Sequence, residues 1–338
     1  MSVLATAVAC GTSGAPAPGP PAPAPPAPPA PGQPLPPPAE PGDAPAARTD
    51  LPGAITALPG GEPEGAVVDP KTGILAVALR APDRVALLDP SGRVRDGAVP
   101  GAARHLVSGG PGVVLVPSED RGTLLQLQLP EGRVTGSIPV GSQPHDAVPT
   151  PAGIAVTNEF GGSVALARPG QPVATAGGLV QPGGLTATGG RIAVVDVRTN
   201  SLHVLDTSLR TVAVLPAGRG PSHVRPIDGN RVAVADTRGH AVLTYQITGT
   251  PRQTGTTPVP GRSYGLATDP ARGLVYTTMA DRNEVLRLRV DADGRLVDPR
   301  SLPTVAQPNS VAVDPSGTVF VVGQRGAQVQ RLTSQDFS

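Results

Sequence analysis

Short apolar runs and polar turns alternate along most of the chain. From about residue 51 onward, runs of five to eight Val, Leu, Ile and Ala residues are separated by clusters of Gly, Pro, Asp and Asn. No stretch carries apolar residues at the regular spacing of an amphipathic helix. The pattern predicts many short β-strands at even intervals, and the 38% hydrophobic content is enough for one sizeable core.

One phrase recurs through this region: a turn with Pro or Gly, a short apolar run, a polar turn and a second strand. Its clearest copies read PEGAVVDPKTGILAVAL, PHDAVPTPAGIAVTN and PNSVAVDPSGTVFVV. The seven copies begin at Pro63, Ala103, Pro144, Pro182, Pro221, Ser263 and Pro308. Their mean interval of about 41 residues is the period of a four-stranded propeller blade.

The repeat predicts an all-β fold, a seven-bladed β-propeller of four-stranded antiparallel blades. The last copy ends after its third strand, and residues 54–58 (AITAL) resemble a fourth strand. An N-terminal strand that completes the last blade would close the ring and leave no long unpaired edge. Six or eight blades stay open as alternatives, because the second copy is degenerate.

The chain divides into three zones: residues 1–10, 11–50 and 51–338. The first zone, MSVLATAVAC, resembles the end of a bacterial lipoprotein signal peptide, whose lipobox places small residues before a lipidated Cys. Here Ala7, Val8 and Ala9 precede Cys10. An ordinary N-terminus with a chance Cys is the alternative. Because Cys10 is the single Cys, the chain can form no intrachain disulfide and no Cys-based zinc cluster.

The second zone is rich in proline. Residues 11–52 contain 17 of the 44 prolines. Runs such as PAPAPPAPPAP offer few backbone donors and little to bury, so residues 11–50 are predicted to be a disordered tether with polyproline II bias. At about 3.1 Å per residue, such a tether reaches on the order of 100 Å. With a lipid on Cys10, it predicts an extracytoplasmic propeller anchored to the outer face of the cytoplasmic membrane.

Two longer stretches carry a family resemblance. LHVLDTSLRTVAVLPAGRGPSHV and GRVTGSIPVGSQPHDAVPTPAGIAVTN resemble the YVTN-type and NHL-type propeller repeats, in which Pro opens each new blade. The resemblance covers about residues 51–335. Together with the lipobox and the tether, it makes the chain similar to a YncE-like actinobacterial cell-surface lipoprotein. This superfamily includes binding, scaffold and enzymatic members, so the resemblance implies the fold and leaves the function open.

In propellers of this kind, the loop that enters the first strand and the hairpin between the second and third strands share one face, around the channel mouth. Three of the chain's five His fall at the two positions that follow a repeat marker. We therefore expect a polar pocket at this mouth. The candidate ligand-binding residues are Arg104, His105, His145, Asp146, Glu159, His223, Tyr264 and Asn309.

Two functions are compatible with these residues. The first is a non-catalytic binding or protein-interaction scaffold without a cofactor, monomeric, whose partner is a cell-envelope protein or a small ligand. The second is a metal-assisted lyase or lactonase, because streptogramin-lyase-like and gluconolactonase-like propellers place polar residues in this region. Its catalytic residues would be His105, His145 and His223, with a divalent metal at the mouth. The net charge of +1 counts against nucleic acid as a partner.

Other polar features of the repeats favour folding over chemistry. The recurrent hairpin pairs Asp196/Arg198, Asp236/Arg238 and Asp281/Arg282 are predicted to stabilise turns, because Asp side chains there accept bonds from backbone amides. The string G-R-S-Y-G at residues 261–265 matches a nucleophile elbow, a motif that needs a following helix. No helical pattern follows it, so a serine nucleophile is not expected.

Overall fold

The computed structural model describes residues 34–338, in which the strands form seven four-stranded antiparallel sheets around a central channel. The first strands of neighbouring sheets adjoin one another around the whole axis. The seven-bladed propeller predicted from the repeat is confirmed. The predicted lipobox with Cys10, and residues 11–33 of the predicted tether, lie outside the described residues.

Blades 1 to 3 begin close to the first three repeat markers. Strand β1 (Ala54–Ala57) precedes them. Blade 1 contains β2 (Glu62–Val68), β3 (Leu75–Arg80), β4 (Arg84–Leu88) and β5 (Val94–Ala98). Blade 2 contains β6 (Val107–Gly110), β7 (Val113–Ser118), β8 (Thr123–Gln128) and β9 (Arg133–Pro139). Blade 3 contains β10 (Pro144–Thr150), β11 (Gly153–Asn158), β12 (Ser163–Ala167) and β13 (Ala174–Gly177).

Blades 4 to 7 repeat this order. Blade 4 contains β14 (Pro182–Thr188), β15 (Arg191–Asp196), β16 (Ser201–Asp206) and β17 (Thr211–Pro216). Blade 5 contains β18 (Pro221–Pro226), β19 (Arg231–Asp236), β20 (Ala241–Gln246) and β21 (Arg252–Pro258). Blade 6 contains β22 (Ser263–Asp269), β23 (Leu274–Met279), β24 (Glu284–Val290) and β25 (Leu296–Pro303). Blade 7 contains β26 (Pro308–Val313), β27 (Val319–Gly323) and β28 (Gln328–Leu332).

The N-terminal strand closes the ring, as the sequence predicts. β1 pairs antiparallel with β28, with Ala54 opposite Arg331 and Ala57 opposite Gln328. Gly53 enters this strand at a φ of +73°, where an added Cβ would lie 2.1 Å from the carbonyl oxygen of Arg331. Only glycine fits such a position without strain. The first strand in sequence thus becomes the outermost strand of the last blade.

The hydrophobic core is a ring of seven clusters, one at each interface between neighbouring blades. Second strands such as β15 are buried on both faces and read as continuous apolar runs, whereas outer strands such as β9 alternate. The only helices within residues 34–338 are the 3-10 turns Glu119–Arg121 and Ala280–Arg282. Across these residues, no helix is long and apolar enough to cross a bilayer.

The described end of the predicted tether lies against the propeller. We call residues 35–46 the strap. They form neither helix nor strand, and they pass along the face that carries the hairpins between second and third strands of blades 4 to 7. Side chains of the propeller donate hydrogen bonds to seven backbone carbonyls of the strap.

Candidate functional site

Bulges in the first strands bring several of the candidate residues to the channel mouth. The pairing with the second strand shifts register just after the marker residue in blades 1 and 3 to 7, between Pro63 and Ala66, Pro144 and Asp146, Pro182 and Leu185, Pro221 and Val224, Ser263 and Leu266, and Pro308 and Ser310. A bulge bends its strand and redirects the side chains within it. Five of the sequence-selected candidates lie within or beside these shifts, namely His145, Asp146, His223, Tyr264 and Asn309. Arg104 and His105 instead precede the first strand of blade 2, and Glu159 follows the second strand of blade 3.

Four aromatic rings from four blades form a continuous row across the mouth. The His105 ring lies in the middle, with its centroid 4.6 Å from that of His145 and 5.0 Å from that of His223. Tyr264 extends the row, 4.8 Å from His223 and edge-on to it. The three predicted imidazoles thus converge, although they come from blades 2, 3 and 5.

Two carboxylates hold His145. Its Nδ1 lies 3.1 Å from Glu159 Oε2 and 3.5 Å from Glu119 Oε1, at angles that make ion pairs rather than hydrogen bonds. Burial lowers the pKa of His145, but these two carboxylates outweigh burial and raise it to about 9. Burial raises the pKa of Glu159, but His145 and the bond from Gln181 bring it down to about 2. His145 is therefore a cation at neutral pH.

The two neighbouring imidazoles are neutral. Burial is the largest cause that lowers the pKa of His223, to about 3, and the charge of Arg225 adds to it. Burial and the charged His145 hold the pKa of His105 well below its usual range. His223 Nδ1 is buried without a hydrogen-bond partner among the described residues, which leaves it free for a ligand. The mouth thus holds a charged and two neutral imidazoles in contact.

Asp146 serves the framework behind the rings. Its side chain is fully buried, and it accepts hydrogen bonds from the amides of Ala147 (2.9 Å) and Leu185 (3.2 Å). Its Oδ2 also lies 3.4 Å from Arg225 Nη1 and 3.7 Å from His105 Nδ1. The predicted ligand residue Asp146 therefore ties blades 3, 4 and 5 together and orients His105.

Glu119 forms ion pairs with two arginines at the mouth. Arg80 Nη1 lies 3.1 Å from its Oε2, and Arg104 Nε lies 3.5 Å from its Oε1. Burial raises the pKa of the nearby Glu64 carboxyl. The sequence pattern selects Arg104, which directly follows a repeat marker. It gives no signal for Arg80, because Arg80 is the last residue of the second strand of blade 1. The repeat pattern likewise gives no signal for Gln181.

A divalent cation would find its ligands in Glu119, His145 and Glu159. One ligand atom from each lies within 4.8 Å of the other two. One imidazole nitrogen and two carboxylate oxygens suit a transition metal. The geometry thus selects a ligand set different from the three predicted imidazoles, of which only His145 belongs to it. Arg80 and Arg104 already neutralise Glu119, so an ion there must compete with two guanidinium groups and with the proton of His145.

The rings stand at the entrance of a central channel with a cavity volume of about 260 Å³. Six of the predicted residues line it, namely Arg104, His105, His145, His223, Tyr264 and Asn309. Asn309 is fixed at the rim by Gln324, to which it donates at 3.1 Å. Burial raises the pKa of the Tyr264 phenol above its usual range, which keeps the ring neutral. The channel is therefore polar at its mouth and continues between the inner strands.

The other sequence features behave as framework. Asp236 accepts from the amides of Arg219, Gly220 and Gly239, and Asp196 accepts from backbone amides in the same way. Ser263 begins a strand rather than a helix, so residues 261–265 form no nucleophile elbow. Arg198 and Arg238 lie in the predicted turns, and their side chains reach the strap.

Comparisons with known proteins give the fold. No protein-family model and no curated protein sequence matches the chain. Streptogramin B lyase is 14% identical, with 82% of this chain and 96% of that one covered and a TM-score of 0.70. A catalytically inactive histidine-to-alanine variant of virginiamycin B lyase from Staphylococcus aureus, with quinupristin, is 13% identical, with 83% and 98% covered and a TM-score of 0.69.

A third match is a protein of different name, the hydrazine synthase of Kuenenia stuttgartiensis. It is 17% identical, with 86% of this chain and 97% of that one covered and a TM-score of 0.69. At such identities the likeness establishes a shared propeller architecture, and one architecture hosts many activities. The function must therefore be argued from the side chains at the mouth.

Proposed function

We propose that the channel mouth is the active site of an acid–base enzyme that opens esters or lactones, most simply by elimination. The observation that carries the proposal is the contact row of His145, His105 and His223, in which one imidazole is held charged and the others neutral. Neighbouring groups whose pKa values are pushed apart supply a proton donor and a proton acceptor in one site. The matched lyase structures, one inactivated by loss of a histidine, support the same class.

In this reaction, His223 removes a proton from the carbon beside the ester-bearing carbon. The electron pair forms a carbon–carbon double bond, the carbon–oxygen bond of the ester breaks, and the carboxylate leaves. His145 donates its proton to the leaving oxygen, and Glu159 keeps His145 charged beforehand. Arg104, half-buried beside Glu119, is the cation that would hold the ester carbonyl.

The test incubates the full chain with quinupristin or with a simple aldonolactone and identifies the products. Elimination gives a ring-opened product of unchanged mass, whereas hydrolysis adds one water, so mass spectrometry separates lyase from lactonase. We expect His145→Ala and His223→Ala to lower kcat/KM by at least about 100-fold. His203→Ala is the matched control, because His203 lies in the third strand of blade 4, bonded to Ser201.

A second candidate is a non-catalytic binding module that uses the same mouth. The three imidazoles are only 8 to 9% exposed and the strap lies on their face, which favours retention of a ligand over turnover. If neither substrate reacts but a compound binds with an affinity that His223→Ala reduces, this candidate replaces the enzyme.

The lipoprotein anchor belongs to this proposal as well. The motif that ends at Cys10 and the prolines that follow it support an extracytoplasmic site of action for a membrane-attached monomer. Labelling of the full chain with a radioactive fatty acid in a bacterial host tests it. Label that persists in Cys10→Ser would contradict lipidation at this residue.

A further inference from the structure

Seven backbone carbonyls of the strap accept hydrogen bonds from propeller side chains. Arg198 donates to Pro36 (2.6 Å) and Leu35 (3.1 Å), and Arg238 donates to Pro37 (2.9 Å). The remaining donors reach Gly42, Ala44, Pro45 and Ala46 from Gln307, Arg325 and Asn283. All of these contacts are made to main-chain oxygens rather than to strap side chains.

The donors recur at the same place in successive blades. Arg198, Arg238, Asn283 and Arg325 lie in or beside the hairpins between second and third strands of blades 4, 5, 6 and 7, and Gln307 lies between blades 6 and 7. The fold therefore sets polar donors at regular intervals along an arc. We call these five residues the track.

An extended proline-rich chain suits such a track. Such a chain makes no internal hydrogen bonds, so its carbonyls are free to accept. Proline lacks an N–H, so few donors of the bound segment need partners. Close packing completes the fit, because Ala39 is buried beside Gly220, where an added Cβ would lie 2.9 Å from that of Ala39.

We propose that the track is a binding site for extended proline-rich peptides, which the strap occupies in cis and a separate proline-rich chain can occupy in trans. Recognition through main-chain carbonyls makes the site tolerant of the residues between the prolines. The strap is then a tethered competitor, present at high effective concentration, that a free peptide must displace. This inference is independent of the chemistry proposed for the imidazoles.

The first experiment measures binding in trans. The full chain is prepared with residues 11–46 replaced by Gly and Ser, so that no proline-rich segment competes in cis, and a fluorescent peptide of residues 34–46 is titrated by anisotropy. We expect saturable binding, weakened at least about tenfold when Arg198→Ala and Arg238→Ala are added, since these changes remove three hydrogen bonds. Arg133→Ala with Arg210→Ala is the control pair, because both arginines are exposed near the turn between third and fourth strands.

The second experiment uses the natural strap and needs no replacement. A protease that cuts on the amino side of Asp can cut before the exposed Asp43, and docking should protect that bond, because the Gly42 carbonyl accepts from Gln307. We expect cleavage before Asp43 to be at least about tenfold faster in the Arg198→Ala, Arg238→Ala protein and unchanged in the control pair. Equal cleavage rates, or equal peptide affinity of the two double variants with circular dichroism spectra unchanged, would overturn the proposal. Absence of saturable binding to a folded strap-replaced chain would do the same.

Discussion

His145 and Glu159 form the central ion pair of the mouth, with Nδ1 and Oε2 3.1 Å apart. Both groups are almost fully buried, and Gln181 donates to the other carboxylate oxygen at 2.8 Å. Burial alone would favour the neutral form of both residues, but each stabilises the charged form of the other. This pair comes from one blade, since His145 enters its first strand and Glu159 follows its second.

Glu159→Gln should lower the pKa of His145. The substitution keeps the shape of the side chain and removes the nearer negative charge, so the burial of the imidazole is less well offset. We expect a fall of about one to two units from the value near 9. A titration followed by NMR of labelled histidines measures it, with Glu131→Gln, an exposed carboxylate on a turn, as control. An unchanged His145 pKa would contradict the ion pair.

Stability should decline as the solution becomes basic. The pKa of His145 is about 9 in the folded chain and 6.5 as its ordinary value, so the folded state retains a proton that the unfolded state loses. This contribution is complete below pH 6.5 and is lost as pH rises through about 9. It amounts to about 3 kcal/mol. Urea unfolding at pH values from 6 to 10 measures this loss of stability. In His145→Ala, the free energy of unfolding should change less over the same pH range.

Asp236→Ala should destabilise blade 5. The carboxylate is 3% exposed and accepts from the amides of Arg219, Gly220 and Gly239 at 2.8 to 3.1 Å. Its removal leaves the buried N–H of Gly220 and the part-buried N–H groups of Arg219 and Gly239 without this partner, at a cost of about 2–4 kcal/mol. Denaturant unfolding measures this cost, with the exposed Asp120→Ala as control. Equal midpoints for both variants would show that the turn does not depend on the carboxylate.

Gly53→Ala should loosen the closure of the ring. Gly53 has a φ of +73°, and an added Cβ would meet the carbonyl oxygen of Arg331 in the paired strand. Gly60→Ala is a matched control, because Gly60 has a φ of +87° with no atom near its added Cβ. Both variants carry the backbone cost, of about 1 kcal/mol, but only Gly53→Ala also displaces the partner strand. Thermal unfolding should rank Gly53→Ala lower by several degrees.

The candidate site was only partly readable in the sequence. The repeat markers single out His105, His145 and His223, because each blade places the same two positions at the mouth. The repeat does not show which of these imidazoles is charged, however, because the protonation of an imidazole depends on neighbours from other blades. The repeat pattern therefore gives no indication of Arg80 or Gln181 at the mouth. It predicts the turns that contain Arg198 and Arg238, but not that the side chains of these residues bind the strap.

By itself, the sequence determined the seven blades, their strand order and the closing role of residues 54–58. These follow from a local alternation of apolar and turn residues that each repeat carries whole, so no long-range contact is needed to infer them. Only the tertiary structure decided which imidazole is charged and where the proline-rich segment rests. Both depend on the distances between groups far apart in the chain, and electrostatic and hydrogen-bond energies are set by those distances.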